Sequence, residues 1–141
     1  MLSISTSYLV TANASGADIV RRLEALDISE VELSYRIDED CFYGIRKALN
    51  RSRLRVSSVH NFFPVPLSIP NAKGSGDVFL LSHPAGEERC KAVQWTKRSI
   101  EAACAVSAKA VVLHCGRIEM DAEYERLYAF FKKGEIASPP V

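Results

Sequence analysis

Apolar and polar positions alternate along this chain with two periods in turn. Residues 2–9, LSISTSYL, interleave apolar and hydroxyl side chains at period two and predict a first strand. Ser15 with Asp18 three positions on reads as a helix-capping pair, and Ile19, Leu23 and Leu26 then recur at helical spacing as the buried face of a first helix. SEVELSY (29–35) predicts a short second strand. DED (38–40) supplies a cap and an acidic first turn for a second helix, whose inner stripe is Cys41, Ile45, Ala48 and Leu49. Arg46, Lys47 and Arg51 weight the far end of that helix with the positive charge its dipole favours. LRVSSVH (54–60) is the third strand. The stretch 61–86 carries Pro64, Pro66, Pro70, Pro84, Gly74, Gly76 and Gly86, and an irregular segment of that length in one domain is usually functional or mobile. A third helix is predicted over 87–107 with Val93, Thr96, Ile100, Ala103 and Cys104 inward, then a fourth strand KAVVLHC (109–115). Asp121 is placed to cap a fourth helix whose Tyr124, Leu127, Tyr128 and Phe131 share one face. The segment GEIASPPV holds a helix-stopping glycine and two prolines, so residues 1–134 are expected to form one domain and 135–141 a disordered tail.

The predicted order is therefore four strand–helix units, and strict alternation implies parallel strands with helices packed outside them. In parallel α/β folds ligands bind at the carboxyl ends of the strands. The third and fourth strands both end there on a histidine, His60 and His114, so two residues remote in sequence would converge on one site. Glu32, within V-E-L, points away from the face of Val31 and Leu33. With Asn61 directly behind His60, the candidate substrate-binding set is His60, His114, Glu32 and Asn61, and the two histidines are also the candidate metal ligands. Each has a plainer reading: a histidine at a strand end is commonly a hydrogen-bonded structural residue, and a half-buried glutamate is commonly one side of a salt bridge. His83, in LSHPAG, reads as a surface residue, and Trp95 as helix packing. Arg117 and Glu119 follow His114 and either reach a polar substrate or are simply solvated.

Composition narrows the function classes. Over 141 residues, 18 basic against 17 acidic side chains leave a net charge of +1, without the basic excess that nucleic-acid binding needs. No 18-residue apolar run exists, so no membrane span is expected. The segment MLSISTSYLV has no basic residues ahead of its apolar positions and no cleavage signature, so no secretory signal is expected. Cys41, Cys90, Cys104 and Cys115 are widely spaced with no C-x-x-C pair, as for free thiols in a reducing compartment, and the cytoplasm is the expected location.

The segments GADIVRRLEALDISEVEL, VSSVHNFF and EERCKAVQWTKRSIEAACAVSAKAVVLHCG resemble the first half of a xylose isomerase-like TIM barrel, over about residues 3–134. The superfamily holds sugar and sugar-phosphate isomerases and epimerases, and abasic-site nucleases of the endonuclease IV type. The resemblance implies an α/β fold of four β/α units with parallel strands, half of a (β/α)8 barrel, since a whole barrel needs about 250 residues. The expected function is that of a sugar or sugar-phosphate isomerase or epimerase-like protein lacking the metal ligands of the second half. In the nuclease branch the histidines matching His60 and His114 bind metal. In the isomerase branch the metal is held by strands five to eight, and these positions contact substrate or support the site. A divalent metal (zinc, manganese or magnesium) is thus expected only if a partner chain or the remaining half adds ligands. Two further readings stand beside this one: a fragment of an abasic-site nuclease, which three histidines and a near-neutral charge disfavour, and a non-catalytic half-barrel module for binding or self-association. Exposed sheet edges at the first and fourth strands, with apolar surface inside the curve, make a homo-oligomer the expected state, either two copies pairing or one half of a longer product.

Overall fold

The computed structural model describes residues 3–10, 14–116 and 123–135. Among them run β1 (Ile4–Ser5), α1 (Gly16–Ala25), β2 (Glu30–Leu33), α2 (Glu39–Leu49), β3 (Arg55–His60), α3 (Gly86–Ala105), β4 (Ala110–Val112) and α4 (Tyr124–Lys133). The strands form one all-parallel sheet in the order β1-β2-β3-β4. Every step goes in the same direction across the sheet. Right-handed crossovers then place the connecting helices on one face, as in half a β/α barrel, and not on both faces as in a doubly wound sheet.

The core lies between that face and the helices: Ile19, Val20 and Leu23 of α1, Phe42 and Ile45 of α2, and Ala102 and Ala103 of α3 close over Val31, Leu33, Val56 and Val59. The capping residues act as the sequence predicts. The Ser15 hydroxyl accepts the Asp18 amide and the Asp38 carboxylate accepts the Cys41 amide. Helices α1 and α2 meet at Gly16, where a Cβ would fall on the Cys41 carbonyl and the Ile45 amide, so only glycine permits this approach.

Several predicted details differ. The alternating hydroxyls of 2–9 bend the chain instead of extending it: after two strand residues, Ser5 accepts the Ser7 amide and Thr6–Tyr8 form a 3-10 turn. Thr6 is fully buried there, and its hydroxyl accepts the Ser34 amide at 2.8 Å. Leu26 is 59% exposed because α1 ends one residue before it, and Ile28 packs against the core instead. On α2 the most buried residues are Phe42 and Ile45, with Cys41, Ala48 and Leu49 half-buried beside them. On α3 the buried face is Ala92, Ser99, Ala102 and Ala103, with Thr96 half-buried. Val93 (43%) and Ile100 (47%) are exposed, as is Cys104. Small side chains let this helix approach the sheet closely, so its contact stripe follows size and hydrogen bonding more than hydropathy.

The last unit is built differently. Strand β4 is three residues long, shorter than the predicted 109–115, and α4 has no buried residue. Its Tyr124, Tyr128 and Phe131 share a face as predicted and stack on one another in solvent. Gly134 ends the helix at φ 74°, the left-handed cap its sequence suggests. Asp121, Arg117, Glu119 and residues 136–141 lie outside the described residues. No helix among the described residues is long and apolar enough to cross a membrane.

Candidate functional site at the carboxyl ends of β3 and β4

The site depends on one irregularity in β3. Val31 pairs with Val56, but Glu32 pairs with Ser58, so Ser57 is an extra residue. In a regular strand Val56 and Val59, three apart, would face opposite sides. The bulge returns both to the core and turns Ser58 and His60 together onto the other face, which a closed barrel would direct inward. Ser5 of β1, Glu32 of β2 and Ser58 of β3 lie side by side there in register, and Ser58 donates to Glu32 Oε2 at 3.3 Å. This inner face is therefore largely polar, where apolar surface is expected from barrel interiors. Branched residues that would fill such an interior sit on the helix-facing side instead.

His60 and His114 do come together. Their ring centroids are 5.1 Å apart, edge to face, and Tyr35 also packs edge to face with His60 at 4.7 Å. His60 Nδ1 lies 2.9 Å from the Asn61 carbonyl oxygen, and His114 Nδ1 lies 3.1 Å from Asp77 Oδ1. A carbonyl and a carboxylate accept, so Nδ1 carries a proton in each ring, and in the neutral form of each ring Nε2 keeps its lone pair. Two remote histidines thus offer two acceptor nitrogens at one place.

Asn61 is not brought into this group. It is fully buried, its Nδ2 donates to Thr96 Oγ1 at 3.0 Å, and its Oδ1 accepts from Ser99 Oγ at 2.7 Å. Its amide also donates to the Val112 carbonyl at 2.9 Å. The side chain thus ties the end of β3 to α3, and its backbone carbonyl, by holding His60, is what reaches the site. Glu32 is half-buried on the same face as His60, bonded to Ser58 and without an ion pair among the described residues. His83 accepts the Ala85 amide at 3.1 Å and belongs to the approach to α3.

The long segment 61–85 is pinned. Phe79 packs edge-on against Phe62 at 5.2 Å and stacks on Trp95 at 6.2 Å, with Arg98 over the other ring of that pair at 5.0 Å from Trp95. Trp95 is packing, as expected, and what it packs is the loop. Two residues before Phe79, Asp77 reaches His114, and Gly76 lies so close to that ring that a Cβ would stand 2.7 Å from Nδ1. Sequence reasoning missed Asp77. Its only signal was position, within the one long irregular segment that follows a strand ending in histidine.

Two imidazoles are too few to hold a divalent ion alone. No third His, Cys, Asp or Glu joins them in a metal-binding group among the described residues. A cleft of about 290 Å³ lies elsewhere, at the amino ends of the strands, lined by Glu30, Arg46, Arg55 and Lys109. The carboxyl ends of α2 and α3 also border it, and the basic side chains there complement those helix dipoles. No protein-family model matches this chain, and no curated protein matches it.

Proposed function

We propose that this half barrel is a sugar- or sugar-phosphate-handling protein of the isomerase or epimerase type, taking its substrate against the inner face at the ends of β3 and β4. The observation that carries the reading is the histidine pair, 5.1 Å apart with both Nδ1 atoms committed to acceptors. Each Nε2, with no hydrogen-bond partner among the described residues, accepts a hydroxyl hydrogen of a polyol. Ser5, Glu32 and Ser58 extend the same face with further donors and acceptors. One route to isomerisation or epimerisation takes a proton from the carbon beside a carbonyl and returns it, and an imidazole Nε2 with a lone pair is a suitable base for that route. The proton goes to Nε2, and the electron pair of the broken C–H bond forms the C=C bond as the carbonyl pair moves onto oxygen, giving an enediolate to which the imidazolium returns the proton.

The open face does not enclose a substrate, so we assign turnover to an assembled barrel, made with a second copy or with further strands, and binding to the single chain. A metal, if the assembled protein uses one, takes its remaining ligands from that added half. No step above runs through it. Four cysteines without a disulfide among them suit a reducing compartment such as the cytoplasm. The same imidazole arrangement would suit the metal ligands of an abasic-site nuclease, but a net charge of +1 gives no surface excess for DNA.

The test is native mass and metal content by light scattering and elemental analysis on one sample, followed by calorimetry against aldoses, ketoses and their phosphates. We expect a dimer, and sugar binding that disappears in the His60→Ala and His114→Ala variants while their circular dichroism stays unchanged. Binding of an abasic-site duplex in place of every sugar would overturn the reading, as would sugar binding indifferent to both histidines.

A further inference from the structure

We infer that Asp77 is a positioning residue for His114: the loop between β3 and α3 delivers its carboxylate to Nδ1 and so fixes which nitrogen faces the site. The inference rests on the proposed role of the histidine pair and extends it to a residue outside the sheet. His60 needs no such help, because its Nδ1 is held by a backbone carbonyl one residue away. His114 lies two residues beyond the end of β4, is exposed, and has no neighbouring main-chain acceptor on its Nδ1 among the described residues; its partner is Asp77, 37 positions earlier in sequence.

The loop is built for that delivery. Phe79 is clamped between Phe62 and Trp95, which fixes the chain two residues after Asp77. Gly76 allows the backbone to lie against the imidazole, where a Cβ would meet Nδ1, Cε1 and Cγ within 2.7–2.9 Å. Gly116, at φ 108°, brings the segment after His114 up to Ser82 on the other side of the loop, where a Cβ would stand 2.9 Å from the Ser82 amide nitrogen. The contact is therefore flanked by close approaches of both segments. A carboxylate behind a histidine orients the ring and fixes its tautomer, as it does for many ligating or proton-transferring histidines.

The experiment is long-range 1H–15N correlation on the full chain labelled at histidine, which reads the tautomer of each ring directly. In the unaltered protein His60 and His114 are both expected as the Nδ1–H form, and His83 as Nε2–H. Asp77→Ala should move His114 toward Nε2–H and leave His60 unchanged. Asp77→Asn, whose amide oxygen still accepts, should restore the original pattern. Gly76→Ala, with Asp77 intact, should displace the ring and give the same loss as Asp77→Ala, which keeps the test open if one variant fails to fold. D-xylose titrated into the same samples should shift both His60 and His114 signals, with affinity reduced roughly fivefold in Asp77→Ala, the worth of about one hydrogen bond. An Nδ1–H signature at His114 that survives Asp77→Ala overturns the inference. Tautomers that follow Asp77 while xylose moves neither histidine would leave the inference standing and overturn the sugar-binding reading.

Discussion

The centre of the sheet and its β4 edge are built on different terms. Around β2 and β3, the side chains of α1 and α2 interlock with Val31, Leu33, Val56 and Val59, and Phe42 meets Phe63 edge-on at 4.8 Å. Around β4, Val112 and Leu113 are exposed, Val93 and Ile100 of α3 are uncovered, and the aromatic face of α4 is in solvent, with Phe131 62% exposed. Each region supplies one histidine, His60 from β3 and His114 from beyond β4. The difference teaches that His60 inherits its position from the core, whereas His114 sits on a unit that the core hardly holds, which is why a loop residue has to fix it. It also locates the apolar surface left uncovered, which lies on the β4–α4 side.

Truncating matched aromatics on the two sides should separate them most clearly. Phe63→Ala, at a fully buried site, is expected to cost about 3–5 kcal/mol in urea denaturation, whereas Phe131→Ala should stay within about 0.5 kcal/mol. Equal losses would mean that α4 is docked in solution and the contrast false. Next in size is Ser99→Ala. The Ser99 hydroxyl donates to Asn61 Oδ1 and accepts the Phe63 amide, both buried. Leaving them unpaired should cost about 1–3 kcal/mol and shift the NMR signals of His60, whose Nδ1 partner is the Asn61 carbonyl. A stability loss with unmoved His60 signals would show that the α3 anchor and the site are independent.

Much of this was readable from the chain. The four-unit order, the caps at Ser15 and Asp38, the stop at Gly134 and the meeting of His60 with His114 all follow from local spacing and the rule for parallel crossovers. Hydropathy failed where geometry outweighed it. The face of α3 is set by Ala92, Ser99 and Ala102, whose small size no apolar count rewards, and by hydrogen bonds between Asn61 and the Thr96 and Ser99 hydroxyls that span 35 positions or more. The V-S-S-V spacing of β3 did hold a readable sign of the bulge, since only an extra residue lets Val56 and Val59 share a face. Asp77 held none, because nothing in a proline- and glycine-rich stretch says which of its residues will arrive at a strand 35 positions away.

Thiol chemistry gives a finer measure of the same contrast. Cys41 is half-buried between α1 and α2, and burial, with Asp38 nearby, pushes its thiol up to about 11. Cys104 and Cys115, on the β4 side, are exposed, as is Cys90. A disulfide reagent at pH 8 is expected to modify three thiols rapidly and Cys41 only as fast as the protein opens. The sign of the pH effect follows: the unfolded chain ionises this thiol at lower pH than the folded one, so stability falls as pH rises from about 9 towards 11. Four equally fast thiols would mean that the α1–α2 contact opens as freely as the β4 side.

The smallest effect compares two helix starts. Helix α1 has a side-chain cap, whereas α4 begins at Glu123 with no side-chain hydrogen bond to its amides. Ser15→Ala is expected to cost about 1 kcal/mol, and Glu123→Ala a few tenths at most. The Ser15 hydroxyl also donates to Asp18, and that bond, ahead of the nearby Arg21 and Arg22 charges, holds the Asp18 carboxyl below the usual carboxylate range. A lowered acid stabilises the fold above its unfolded value, and the contribution is lost as pH falls through the folded one. The gap between Ser15→Ala and the parent chain should therefore narrow below about pH 3.9. It should not close, because the serine oxygen accepts the Asp18 amide at any pH. A gap unchanged by acid would assign the cap to that amide alone, and a gap that vanished would assign it to the carboxylate.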